Sequence, residues 1–213
     1  MDNTDNAVSI GEAAFRRDAA HALSTPLGSL LLQAELIDHY LGSGKVGQAR
    51  DAVGTLLRDF ETFGQRFRSV FSAMADIAED GTSEGDPRAC LAEALVELGE
   101  ETVHVGYRGV SPRVAVPAHA LTALMRRLAM LATTLGGGQV TLIAAKAEEE
   151  CLLSLTAAET GEAGDAESSF DSPRSLHFRV ALEIAARHGG RLKSGTAPGA
   201  IALLTLPLAR EPA

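Results

Sequence analysis

The chain has 213 residues, 46% of them hydrophobic, enough to bury one large core or two small ones. Its formal net charge of −9 argues against a nucleic-acid-binding surface, which needs a basic stripe to replace phosphate counterions. Cys90 and Cys151 lie far apart without CxxC spacing, and His39, His104, His119 and His177 show no metal-ligand spacing, so no metal or other cofactor is expected.

The first 80 residues predict two long helices. In the first, Ala20, Leu23, Leu27, Leu30, Ala34, Ile37 and Leu41 step by threes and fours, the seam of a helix packed lengthwise on others. Gly42-Ser43-Gly44 breaks the pattern and reads as a hairpin turn. From Lys45 a second helix carries Ala49, Val53, Leu56, Phe60, Phe63, Phe67, Val70, Met74 and Ile77 in the same alternation. Leu31, Leu57 and Phe71 widen the stripe beyond what one hairpin can cover, so a homodimer closing a four-helix bundle is expected. With Ala20 and Leu23 facing the core, His21, Asp18 and Thr25 fall on the solvent side. Pro26 inside this helix removes a backbone hydrogen bond one turn beyond the histidine and favours a bend.

Residues 81–88 form a polar, Gly-rich linker. Beyond it, 89–213 mixes helices (89–98, 118–135, 173–188) with strands (102–108, 113–116, 139–145, 151–157, 191–195, 200–208), joined in part by an acidic loop over 160–172. The fold class expected is therefore α+β: a helical hairpin over 1–80, then an α/β sandwich. No run reaches the ~18 to 20 apolar residues that span a bilayer, and the polar, acidic residues after Met1 do not read as a leader, so a cytoplasmic protein without membrane contact is expected.

The segment Phe15-Arg-Arg-Asp-Ala-Ala-His21-Ala-Leu-Ser-Thr25-Pro26-Leu27 resembles the phosphoacceptor helix of two-component sensor histidine kinases, in which an acidic residue usually follows the histidine. Here that neighbour is Ala22. The second half resembles the ATP-binding domain of the same family, best over Ser175 to Leu192 with its His188-Gly189-Gly190-Arg191 ending. Against that pattern, Ser175 and His177 replace two glycines that let backbone amides approach phosphate, and Leu131 stands where the family has a magnesium-binding asparagine. No Asp-x-Gly-x-Gly surrounds Ala157 to Gly161. An acceptor histidine beside a degenerate ATP site resembles the dimeric histidine phosphotransferases of bacterial phosphorelays.

That resemblance implies His21 as phosphoacceptor, Thr25 in a dephosphorylation role, and Arg17 or Arg16 as a phosphate contact. It implies no autokinase activity and no ATP. Magnesium would come from the partner receiver domain, and the partners would be receiver domains of response regulators and a hybrid histidine kinase. A pseudokinase scaffold or inhibitor that binds a receiver domain or a histidine kinase fits the same residues but leaves His21 dispensable. An active kinase with divergent motifs is a third reading.

Overall fold

The computed structural model of the protein describes residues 3–78, 84–98, 105–134, 140–157, 173–195 and 200–209. Two helices come first, α1 (Asn3–Gly42) and α2 (Val46–Ala78). They are followed by α3 (Pro87–Leu98), β1 (Val105–Gly109), α4 (Ala118–Thr133), β2 (Val140–Ala147), β3 (Glu150–Ala157), α5 (Pro173–Arg187), β4 (Arg191–Ser194) and β5 (Ala200–Pro207). The chain divides into two compact units, Ser9–Met74 and Ala75–Ala213 with Met1–Val8. Of the expected linker over 81–88, residues 81–83 lie outside the described residues, Gly85 bridges to Val114, and α3 begins at Pro87.

In the first unit the helices turn at Gly44, whose φ of 74° suits glycine, with Lys45 N–H donating to the Tyr40 carbonyl at 2.9 Å. Gln33 Nε2 of α1 donates to Asp59 Oδ2 of α2 at 2.6 Å. The seam expected on α1 is covered only in part in the single chain: Leu30 is buried and Leu23 and Ile37 are half-buried. Phe15, Ala19, Ala22 and Leu30 are buried, whereas Ala20 and Ala34 are exposed and Leu27 and Leu41 are 47% and 55% exposed. The cause is that α1 carries two adjacent apolar stripes that meet at Leu30, and the one stepped from Ala20 is the less covered in a single chain. On α2, Ala49 and Val70 are buried, while Val53, Leu57, Phe60, Phe67 and Phe71 remain exposed.

The second unit is a five-stranded sheet in the order β1-β2-β3-β5-β4, with β1 parallel to β2 and the other neighbours antiparallel. Alternation along the strands buries one face, where Leu142, Leu155 and Ala202 form one cross-strand row and Ala144, Leu153 and Leu204 the next. The other face carries Thr141, Ser154 and Thr156, with Ile143 and Leu203 only partly covered. Helix α4 is the centre of the helical layer, with Leu121, Leu124, Met125, Leu128 and Leu131 all buried. Helix α3 is started by Asp86, whose Oδ1 accepts from the backbone N–H of Arg88 at 2.8 Å and of Ala89 at 3.2 Å. Burial opposes the charge on that carboxyl, yet the Ser111 hydroxyl and these N–H groups hold it below the usual range.

Residues 113–116 do not form the expected strand. Val114 alone makes bridges, to Gly85 and Leu208, because Pro112 and Pro117 flank the stretch and cannot donate to a ladder.

The α5 to β4 corner depends on two glycines. Gly189 has φ of 73°, and Gly190 N–H donates to the Ala185 carbonyl at 2.8 Å, closing the helix. A Cβ on Gly190 would meet the Thr205 carbonyl oxygen at 2.6 Å and Leu206 Cδ2 at 2.8 Å. Gly190→Ala is therefore expected to cost about 1–3 kcal/mol in urea unfolding by overpacking, and Gly189→Ala about 1–2 kcal/mol by backbone strain alone.

Candidate functional site

His21 lies mid-helix on α1 and is exposed. Its neighbours one turn away, Arg17 and Thr25, are also exposed, as the helical spacing requires. The Thr25 hydroxyl donates to the His21 carbonyl at 3.4 Å, and the Ser24 hydroxyl to the Ala20 carbonyl at 2.7 Å. Arg16 is exposed as well. Helix α1 runs unbroken through Pro26, whose missing N–H leaves the Ala22 carbonyl without its helical donor. Ala22 itself is buried, so a longer acidic side chain at that position would have little room.

Thr25, Ser29, Leu32 and Leu36 continue this face down the helix at steps of four, three and four. Leu32 and Leu36 are 67% and 44% exposed. Below them a groove of about 400 Å³ is lined by Gln33, Leu36 and Tyr40 of α1 and by Gln48, Asp51, Ala52 and Thr55 of α2. Gln33 Oε1 is buried without a hydrogen-bond partner at its edge. Reading the sequence for motifs missed this groove, because none of its residues belongs to a chemical motif.

In the second unit, Leu131 is fully buried on α4, and an aliphatic side chain there cannot ligate a hard cation. Arg127, one turn earlier on the same helix, is also buried. Its Nε and Nη2 reach Asp76 Oδ2 at 2.8 and 2.5 Å, and Nη1 lies 3.5 Å from His177 Nδ1 of α5. Arg126 Nη2 reaches Asp76 Oδ1 at 2.5 Å, and its Nη1 reaches Glu97 Oε2 at 2.8 Å. His177 is thus a packed interior residue at a position where the resemblance wants glycine, and the space that a bare backbone would leave is filled.

Ser175's side chain, the acidic loop over 160–172 and the Ala157–Gly161 stretch beyond Ala157 lie outside the described residues. Among the described residues no cluster of His, Cys, Asp and Glu could hold a metal ion. Both cysteines are buried free thiols, and burial pushes Cys151 up to about 11, far from a reactive thiolate. No described helix is long and apolar enough to cross a membrane.

Asp76 went unnoticed in the sequence because it sits inside the apolar run Met74–Ala78, where spacing alone reads it as one polar residue on a helix surface. The adjacent arginines Arg126-Arg127 in a largely apolar α4 are the one sequence feature that marks the cluster, and they do not say which carboxylate meets them.

No sequence-family model and no curated protein matches the chain. Among solved structures, histidine kinase AdeS of Acinetobacter baumannii is similar with a TM-score of 0.54 at 12% identity, over 89% of this chain and 98% of that one. The fold is that of a histidine kinase core. The catalytic domain of histidine kinase ThkA is similar with a TM-score of 0.50 at 14% identity, over 62% of this chain and all of that one. Full-length ShkA, solved in complex with AMPPNP, gives 0.51 at 16% identity over 76% of this chain and 40% of its own. This chain therefore combines a kinase-type hairpin and ATPase-like layer with Leu131, Arg127 and His177 packed into the interior of the latter.

Burial, and next to it the Arg127 guanidinium, push the His177 imidazole down to about 4 from the usual 6.5. Between those values the unfolded chain binds a proton that the folded chain refuses, so stability falls as pH drops from about 6.5 to about 4. The loss reaches about 3 kcal/mol at most. His177→Leu should flatten that part of the stability profile, measured by urea unfolding at successive pH values.

Proposed function

We propose that this protein is a histidine phosphotransferase of a phosphorelay: His21 takes a phosphoryl group from the aspartyl phosphate of one receiver domain and passes it to an aspartate of another. In the first transfer a lone pair of neutral imidazole forms the N–P bond while the acyl phosphate P–O bond breaks and aspartate leaves as carboxylate. Delivery is the same exchange in reverse, so no nucleotide is consumed. The receiver brings the magnesium ion and most of the charge stabilisation, which leaves this chain to supply an accessible, well-placed imidazole.

The observation that carries the reading is His21 standing exposed on an unbroken helix, with Arg17 and Thr25 one turn to either side. Arg17 is placed to contact phosphate as a charge-assisted donor. The Thr25 hydroxyl gives its proton to the His21 carbonyl, so its oxygen is left to accept from a water that attacks the phosphohistidine. Buried Leu131 and His177 support the absence of ATP chemistry, since neither side chain can serve a magnesium-nucleotide. Leu32, Leu36 and the groove beneath them offer an apolar seat for a receiver on the same face.

The reading includes a homodimer. Leu27, Leu31 and Leu41 of α1, with Val53, Leu57, Phe60, Phe67 and Phe71 of α2, are all at least 40% exposed in a single chain. Each Leu, Val or Phe fully withdrawn from water contributes about 1.5–3 kcal/mol, so a second copy closing a four-helix bundle is strongly favoured. Phe67→Asp should convert the dimer to a monomer in sedimentation or light-scattering measurements.

The deciding experiment offers labelled receiver phosphates to the wild-type protein and to His21→Ala. Label that reaches the wild type and never the variant supports the phosphotransferase. Receivers that bind tightly but leave the protein unlabelled would establish the scaffold reading and reduce His21 to a surface residue. Leu36→Asp should slow transfer about tenfold or more while leaving the fold intact, because one unpaired charge in an apolar contact costs at least ~1.4 kcal/mol.

A further inference from the structure

The last turn of α2 belongs to the α/β unit, and what holds it there is recognition of an anion. The two oxygens of Asp76 are divided between two guanidiniums: Oδ1 takes Arg126 at 2.5 Å, and Oδ2 takes Arg127 through Nε at 2.8 Å and Nη2 at 2.5 Å. Beside it Arg187 Nη1 of α5 donates to the Ile77 carbonyl at 2.9 Å. Asp76 is 8% exposed and Arg127 is 2% exposed, so this carboxylate is almost fully withdrawn from water.

Two features separate this arrangement from an ordinary surface ion pair. The arginines lie next to each other on α4, a helix whose other side chains are mostly buried, so their backbone is anchored by packing that does not involve Asp76, and Arg126 is held in addition by Glu97 Oε2 at 2.8 Å. Asp76, by contrast, comes from about 50 residues away, near the end of a different helix. The guanidiniums thus form the preorganised half of the pair and the carboxylate is the guest.

We infer that Arg126 and Arg127 constitute an oxyanion-binding site, for a carboxylate or a phosphate, which the chain keeps filled with its own Asp76. The covalent connection holds that carboxylate at an effective concentration far above that of any free anion, so the site stays closed in the intact protein. Removing the guest carboxylate opens it, and an anion from solution then takes the same two guanidiniums.

The test is rescue by an anion. Asp76→Ala is melted in chloride, acetate and inorganic phosphate at matched ionic strength, beside the wild type and the triply substituted Asp76→Leu, Arg126→Met, Arg127→Met protein, in which the carboxylate and both guanidiniums are gone. The expected result is a lower melting temperature for Asp76→Ala in chloride. Acetate, phosphate or both should then restore it by a saturable rise on the order of 5 °C, with no such rise in the other two proteins. Rescue by acetate alone marks a carboxylate site and rescue by phosphate alone a phosphate site. If Asp76→Ala fails to fold in chloride, folding regained on dilution into either anion supports the site. Three results overturn it: an undiminished melting temperature in chloride, a response to anions no larger than that of the wild type, or failure to fold in any of the three salts.

Discussion

A hairpin of two helices can cover only one stripe on each, and both α1 and α2 carry more apolar surface than that. This constraint organises the first unit. One stripe of α1, through Phe15, Ala19, Ala22 and Leu30, is buried in the single chain, while Leu27, Leu31 and Leu41 are not. The uncovered surface of α2 is richer still, with Phe63, Phe67 and Phe71 in ring-to-ring contact along one helix and the last two stacked at 4.4 Å. Where the apolar stripes lie also decides where the polar residues go. Buried Ala19 and Ala22 turn the two positions between them, Ala20 and His21, outward, so the exposure of His21 follows from the packing of its neighbours.

The second unit obeys a different rule. Its sheet buries one face under a layer of helices, and α4 is so enclosed that nothing polar survives on its inner side without a partner. Arg127 remains there because Asp76 meets it, and Thr122 because Glu93 accepts its hydroxyl at 3.0 Å. A magnesium-nucleotide site needs the reverse: a hard oxygen or amide ligand facing open space. Leu131 and His177 fill the interior instead, and side chains that do so take up volume there.

Much of this was legible in the residues, and unevenly so. Helices and strands of the second unit follow from period, as the match of β3 to the alternation from Cys151 to Ala157 shows. The turn at Gly42 to Gly44 follows from glycine chemistry. The register of α1 followed only in part, with Leu30 inside and His21 and Thr25 outside as expected, because two apolar stripes that meet at Leu30 both satisfy a three-four step. The bridge at Val114 was read as a strand because alternation over four residues carries no information about whether a neighbour is present. The Asp76 cluster was invisible for the most basic reason: its members are separated by about 50 residues, and a single chain without its fold gives no ground for pairing them.

The chemistry proposed for His21 makes light demands on such a framework. An acyl phosphate is already an activated donor, so exchange between an aspartate and an imidazole needs access, alignment and a partner that carries its own cation, but no cleavage of a nucleotide. A kinase-type hairpin with an outward histidine satisfies the first two. On that proposal the ATPase-like layer has no nucleotide to hold, and its interior is closed with leucine, a neutral histidine and an internal ion pair. That closure contributes to the stability of the unit whether or not a phosphoryl group passes through His21.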